Sequence, residues 1–257
     1  MNIEIAVVGA IVGAFVGLSG MGGGAILTPL LVLLFGINPL LAVGTDLFSS
    51  APMKIVGAIA HRRQGTMDGR VVLWLALGGV PGALLGLAGL EHIRALVPIT
   101  ELNLVVSRAV GVALVISAAA LLFGSFARVE PTQERAIEWS AKRGSLIALL
   151  GFCVGALVSI TSIGSGSVTL PLLFATIPYV GVRRLIGSDI AFAAVLIPIA
   201  ALGHVTMGNV NFPFALSLMC GSIPGVLIGS KLCALISPRY IRPVLAGAMV
   251  MVATRFL

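Results

Sequence analysis

Two acids lie inside long apolar runs of this chain, each behind a glycine and a hydroxylated residue: Gly44-Thr45-Asp46 and Gly187-Ser188-Asp189. Glu4 near the start and the loop acids aside, no other carboxylate falls in the apolar runs. A carboxylate in an apolar slab is costly to bury and is functional by default. It can carry a proton, hold a cation, or brace a nearby break in the backbone through hydrogen bonds. The plainer role is a helix N-cap, a position that favours Asp in any protein. Thr45 and Ser188 add hydroxyls to the same two steps.

Lys54 follows Asp46 by eight residues, about two helical turns. It can pair with an acid or attract an anion, or it can snorkel to a membrane surface. Arg108 is ambiguous in the same way. His61 and His204 end equivalent runs, where they can serve as gates or proton sites, or as ordinary helix ends at the interface.

Two glycine-rich breaks offer different chemistry. The first is Ser19-Gly20-Met21-Gly22-Gly23-Gly24, the second Thr161-Ser162-Ile163-Gly164-Ser165-Gly166-Ser167. At each, a helix can stop, turn and restart. The restarted segments, 24–36 and 166–178, would present free N–H groups and the positive end of a helix dipole, which together favour an anion. Ser19, Ser162, Ser165, Ser167, Thr28 and Thr169 supply hydroxyl donors. The alternative is close helix packing through small residues, the role expected of Gly9, Gly13, Gly82 and Gly86. Substrate binding is therefore expected at Ser19, Gly20, Gly22, Gly23, Gly24, Thr161, Ser162, Gly164, Ser165, Gly166 and Ser167. Thr45, Asp46, Ser188 and Asp189 are expected to brace the breaks or couple an ion, with Lys54, His61 and His204 as gating or charge-bearing residues.

The elements that must hold these residues follow from composition. Of 257 residues, 58% are hydrophobic and 10% charged, with a mean hydropathy of +1.14. Soluble domains run nearer about 45–50% apolar and about 25% charged. A soluble globule, a disordered chain and a disulfide scaffold are excluded, and a polytopic membrane protein with about eight to ten segments is implied. The net charge of +7 does not signal nucleic acid, because the basic residues sit between apolar runs and form no face. Cys153, Cys220 and Cys233 lack metal-ligand spacing and read as inert packing residues. The N-terminus lacks a basic region and a cleavage site, so the first run is expected to be retained.

Apolar runs fall at 3–20, 24–36, 40–60, 70–90, 104–124, 145–163, 167–178, 185–203, 212–233 and 241–257. The second and seventh are short, follow the glycine-rich breaks and contain a proline. Paired short segments of this kind are a sequence pointer to a transporter site. The halves match at an offset of 142–143 residues: Gly9 and Gly13 with Gly151 and Gly155, Pro29 with Pro171, Asp46 with Asp189, His61 with His204, Pro81-Gly82 with Pro224-Gly225. Lys54 meets Ile197, which breaks the match.

Charge gives the sense of the duplication. Lys and Arg favour cytoplasmic loops. Each loop has the opposite bias from its counterpart: 61–70 carries Arg62, Arg63 and Arg70 while 204–211 carries no Lys or Arg, and 178–184 carries Arg183 and Arg184 while 36–40 carries none. With inverted halves, one side holds twelve basic residues and the other only Arg94 and Arg255, whereas parallel halves would split them eight to six. The reading is an all-α polytopic membrane protein of two inverted repeats, each a Gly-tipped helical hairpin plus three transmembrane helices. The first repeat is 1–124, the connecting loop 125–143 is cytoplasmic, the second repeat is 144–257, and both termini are outside. Trp74 is expected to anchor at the interface, and the mixed charges around Trp139 to form a solvated or surface-lying helix.

No Walker loop, His-Glu-x-x-His, nucleophile elbow or metal-ligand cluster is present, so no metal and no cofactor beyond a coupling ion, H+ among them, is expected. A paired-aspartate membrane protease would need its two acids around one water, and the Gly-x-Gly-Asp pattern of those enzymes is missing. An anion channel and a membrane scaffold remain as other classes, and homo-oligomerisation stays open.

The glycine-rich tip, the proline and the Gly-Thr/Ser-Asp step recurring in both halves resemble the TauE/SafE family of sulfite and organosulfonate exporters. The residues that carry the resemblance are 17–24, Pro29, Ala42-Val43-Gly44-Thr45, 155–166, Pro171 and Gly187-Ser188. The resemblance implies a secondary transporter in the inner membrane of a bacterial-type cell, moving sulfite, sulfoacetate or related sulfonates.

Overall fold

The computed structural model describes residues 3–19, 24–126, 139–233 and 238–257. The described residues form ten helices: α1 (Ile3–Ser19), α2 (Gly24–Phe35), α3 (Pro39–Arg63), α4 (Gly69–Leu96), α5 (Ile99–Phe126), α6 (Ala141–Thr161), α7 (Thr169–Thr176), α8 (Val182–Thr206), α9 (Phe212–Cys233) and α10 (Pro238–Ala253). The all-helical membrane architecture expected from composition is what the chain adopts. α4, α5, α6, α8 and α9 are each long and apolar enough to cross a bilayer. Their outer faces carry large apolar side chains: Leu85, Leu202 and Leu227 are 62%, 65% and 61% exposed, suited to lipid rather than water.

Helix boundaries follow local chemistry. Asn38 caps α3 by accepting the Leu41 N–H at 2.9 Å, and Pro39 occupies the first turn, where its missing N–H costs nothing. Asp68 caps α4 and Ser140 caps α6. The N-cap role considered for Asp46 and Asp189 does not hold, because each is the eighth residue of its helix. The second restart is also shorter than the sequence suggests. Residues 165–168 form a turn, and α7 runs only 8 residues from Thr169.

Two parallel, glycine-lined contacts cross between the halves. Gly9 and Gly13 of α1 lie on Leu218 and Ser222 of α9, and Gly78 and Gly82 of α4 lie on Ala148 and Phe152 of α6. A side chain at any of these would strike the neighbouring backbone, so the helices approach as closely as small residues permit. α1 and α6 are equivalent by sequence, as are α9 and α4. Each half thus packs its first helix on the fourth helix of the other. α3 and α8, also equivalent, run antiparallel: Gly44 near the start of α3 meets Asn209 just beyond α8, and Gly187 near the start of α8 meets Thr66 just beyond α3.

One end of the bundle gathers residues 36–38, 97–98 and 207–211. There Asn211 N–H donates to Thr45 Oγ1 at 3.1 Å, and the Arg94 guanidinium donates to the Met207 carbonyl. The opposite end gathers 64–68 and 177–181. Asp68 pairs with Arg184 at 3.1 Å, its N–H donates to Ser188 Oγ at 2.8 Å, and Arg143 stacks over Tyr179 at 5.7 Å. Arg62, Arg63, Arg70, Lys142, Arg143, Arg183 and Arg184 all lie at this second end. Trp74 sits there too, packed on Gly144. Cys153 and Cys220 are exposed on the outer surface rather than packed in the core, because their helices turn those positions outward.

Candidate functional site

The α1–α2 hairpin enters from the first end and the α6–α7 hairpin from the second. At 1.5 Å per residue, α2 rises about 18 Å and α7 about 12 Å, against a slab of about 30 Å. Neither crosses. The start of α2 meets the second turn inside the bundle, where Gly24 lies so close to the Ser162 carbonyl that a Cβ would overlap it.

Asp46 stands at this meeting point and is fully buried. Its Oδ2 accepts from Thr28 Oγ1 of α2 at 2.6 Å and from Ser162 Oγ of the second turn at 2.9 Å. Its Oδ1 accepts from Ser50 Oγ, one helical turn on, at 3.0 Å. One carboxylate thus ties α3, α2 and the second turn together, and among the described residues its bonds come from hydroxyls. Asp189, 1% exposed, accepts the Gly166 N–H at Oδ1 at 3.3 Å, with the Thr169 hydroxyl beside it.

The second turn is held open by its backbone. Ser162 is left-handed at φ 60°, and Gly164 and Gly166 take φ 138° and 86°. Thr161 folds its hydroxyl onto the turn, accepting the Ile163 N–H at 3.1 Å and donating to the Leu157 carbonyl at 2.6 Å. Ser167 Oγ shares a hydrogen with Ser117 Oγ of α5 at 3.0 Å. Among the described residues, the N–H groups of Gly164, Ser165 and Ser167 find no acceptor, and the Ser165 hydroxyl makes no bond. Buried N–H groups are rarely left so. Their concentration in one turn, ahead of a helix N-terminus, is a donor set for an anion's oxygens.

The first turn cannot be compared atom for atom. Gly20, Gly22 and Gly23, and the side chain of Ser19, lie outside the described residues, as does the mixed-charge stretch 127–138.

Lys54 lies on the same face of α3 as Asp46 and Ser50. It is partly buried and makes no direct ion pair or hydrogen bond among the described residues. His61 stands at the second end, apart from the turns, whereas His204 reaches the last turn of α6 just ahead of the second break. His61 Nδ1 lies 2.8 Å from Thr66 Oγ1 and against Gly187, and His204 Nε2 lies 2.8 Å from the Ser159 carbonyl with its β-carbon against Gly44. Thr45 and Ser188 also serve the ends, each bonding a loop N–H, and neither reaches a turn.

Ser50, Ser117 and the Asp68–Arg184 pair escape the sequence reading. Ser50 was detectable, since its spacing of four from Asp46 puts it on the same helix face. The other contacts join residues far apart in the chain, and no local pattern marks them.

Residues 5–256 match the family described as Sulfite exporter TauE/SafE. The chain is 36% identical to "Probable membrane transporter protein YjnA" of Bacillus subtilis over 96% of both chains. It is 28% identical to a "Probable membrane transporter protein" of Xylella fastidiosa over 87% of this chain and 82% of that one. It is 25% identical to "Probable membrane transporter protein YdhB" of Bacillus subtilis over 94% of this chain and 96% of that one. No solved structure matches.

Proposed function

Because this chain belongs to the sulfite exporter TauE/SafE family of membrane transporters, we propose that it is a secondary carrier exporting small sulfur-containing anions such as sulfite, sulfoacetate or other organosulfonates. The observation that carries this reading is the contact of the start of α2 with the second turn, reached from opposite ends, with N–H donors at Gly164, Ser165 and Ser167 that find no acceptor among the described residues. A sulfonate or sulfite presents several oxygens to such donors at once. The buried turn excludes competing water, which strengthens each bond.

Two inverted repeats make the site reachable from either side. The antiparallel α3–α8 pair and the reciprocal contacts at Gly44 and Gly187 support this arrangement. Rocking one repeat against the other would open one end as it closes the other. The loops docked on Thr45 and Ser188, with His61 and His204 behind them, are the surfaces that would separate. The basic residues at the second end support a cytoplasmic position for it, with both termini outside. On this reading the anion is moved unchanged.

The deciding experiment is counterflow in proteoliposomes with labelled sulfite, sulfoacetate and taurine, with sulfate as control, with and without a pH gradient. Saturable exchange of one sulfur anion is expected. Linear, non-saturating flux would indicate a channel, and absence of flux for all of them would remove the substrate assignment.

A further inference from the structure

α3 and α8 end in the same way. Gly65 and Gly208 take left-handed backbones, at φ 65° and 71°. The next residue returns its N–H to the helix, Thr66 to the His61 carbonyl at 3.0 Å and Asn209 to the His204 carbonyl at 2.9 Å. This is the Schellman motif, which commonly sets the side chain after the glycine beside that of the residue five positions earlier. In α3 those two side chains meet, with His61 Nδ1 2.8 Å from Thr66 Oγ1. In α8 the equivalent pair stays open. His204 and Asn209 are 0% and 7% exposed, yet His204 Nδ1 and Asn209 Nδ2 have no partner among the described residues.

The other nitrogen of His204 is fixed. α6 ends at Thr161, and the Ile163 N–H turns to Thr161 Oγ1. The Ser159 carbonyl, left without that N–H, lies 2.8 Å from His204 Nε2. A carbonyl only accepts, so Nε2 carries a hydrogen and Nδ1 is bare in the neutral ring. The ring stands at the C-terminal ends of both α6 and α8, where the negative ends of two helix dipoles suit a cation. Burial disfavours a cation that comes alone. A proton on Nδ1 therefore calls for a counter-ion, and Nδ1–H beside the Asn209 amide would offer an oxyanion two donors and one positive charge.

The packed elements supply no free counter-ion of their own. Loop 207–211, the last turns of α6 and α8 and the first two turns of α9 carry no other ionisable side chain. On α3, His204 meets Gly44, and Asp46 just beyond accepts from Thr28, Ser50 and Ser162. On α4, Leu87 packs on Gly203, and Glu91, His92 and Arg94 beyond it are exposed. Arg94 donates to the Met207 carbonyl at the edge of a surface cavity of about 420 Å³, which Glu91 and Thr206 also line.

We propose that His204 Nδ1 and Asn209 Nδ2 form a second oxyanion site, between the glycine-rich turn and this mouth, that takes one monoanion together with one proton. Its place on the anion's route rests on the transport reading above, and the binding itself does not. At the other end Thr66 already occupies the equivalent nitrogen of His61.

The test uses the full-length protein in detergent with isotope-labelled histidine. Methanesulfonate, a monoanion with no group that titrates near neutral pH, is added at fixed pH and ionic strength. The Nδ1 resonance of His204, assigned by its loss in His204→Gln, should move saturably from the bare to the protonated position, while that of His61 stays. Asn209→Leu should weaken the saturation midpoint about tenfold, the size of one hydrogen bond to a charged group. Asn209→Asp, which builds the counter-ion in, should hold Nδ1 protonated without methanesulfonate and cancel the response. Gly164→Ala, which disturbs the turn, should leave the response intact. A His204 Nδ1 that stays bare at high methanesulfonate overturns the proposal, as does a response unchanged in both Asn209 variants or lost in Gly164→Ala. A His204 response in a protein that carries no sulfur anion in proteoliposomes upholds the site and removes the transport reading.

Discussion

Ser162 Oγ donates to Asp46 Oδ2 at 2.9 Å, across 116 residues of sequence and between the two halves of the chain. The donor sits in a left-handed backbone, φ 60°, that a residue with a Cβ seldom adopts. The bond and the strain occur at one residue, and the bond is the compensation for the strain. Replacing Ser162 separates the two. Ser162→Ala removes the donor from a buried carboxylate and keeps the strain, at a cost of roughly 1–3 kcal/mol. Ser162→Gly removes the donor and relieves the strain, so it should be the milder change. Thermal unfolding in detergent should rank the midpoints wild type, then Gly, then Ala. Equal midpoints for the two variants would show that the backbone is unstrained.

Gly24 faces the Ser162 carbonyl with no room for a methyl group. Gly24→Ala should push the start of α2 away from the second turn, lowering stability by roughly 1–3 kcal/mol and impairing anion exchange. Gly164, at φ 138°, should respond to Gly164→Ala through backbone strain of roughly 1–3 kcal/mol. Ligand affinity by calorimetry, measured on folded protein of both variants, checks this. Unchanged affinity in both would detach anion binding from the turns.

Gln64 and Thr206 are exposed residues at opposite ends of the bundle, each closing the C-terminal side of an equivalent helix. In a background with Cys153, Cys220 and Cys233 replaced by Ser, Gln64→Cys and Thr206→Cys should react with an impermeant maleimide from opposite sides of the membrane, position 206 from outside. Labelling of both from one side would refute inverted halves.

Asp68 and Arg184 form an ion pair with side chains 12% and 45% exposed. Such a partly exposed pair is worth about 0–1 kcal/mol. Asp68→Asn should therefore leave the thermal midpoint nearly unchanged while shifting the balance of accessible ends, because the pair spans the loop before α4 and the start of α8. Accessibility of a cysteine at position 64 reports the shift, and Asp68→Arg with Arg184→Asp should restore it. No shift in Asp68→Asn would make the pair incidental to gating.

Much of this was legible in the residues. Asp46 and Asp189 announced themselves because a carboxylate in an apolar run has few innocent explanations. The glycine-rich breaks and short restarts predicted Gly-tipped hairpins, without deciding whether these stop inside the slab or cross it, and the basic loops predicted which end gathers charge. These are local or one-dimensional properties: hydropathy, spacing and charge along a chain threaded through a bilayer. α7 proved shorter than its apolar run, since Gly164 and Gly166 hold the turn open to residue 168.

The tertiary structure alone decided what each polar residue touches. Thr45 and Ser188 precede the acids in sequence, but successive helical residues point about 100° apart, so their hydroxyls meet loops while the carboxylates meet the hairpins. The unequal setting of the two acids was also invisible beforehand. The duplicated pattern makes them look alike, and only the folded contacts show that three hydroxyls converge on Asp46 while Asp189 takes the Gly166 N–H. Sequence symmetry sets the frame of the fold. The exceptions to that symmetry acquire meaning only when packing brings distant residues within hydrogen-bonding and Coulombic reach.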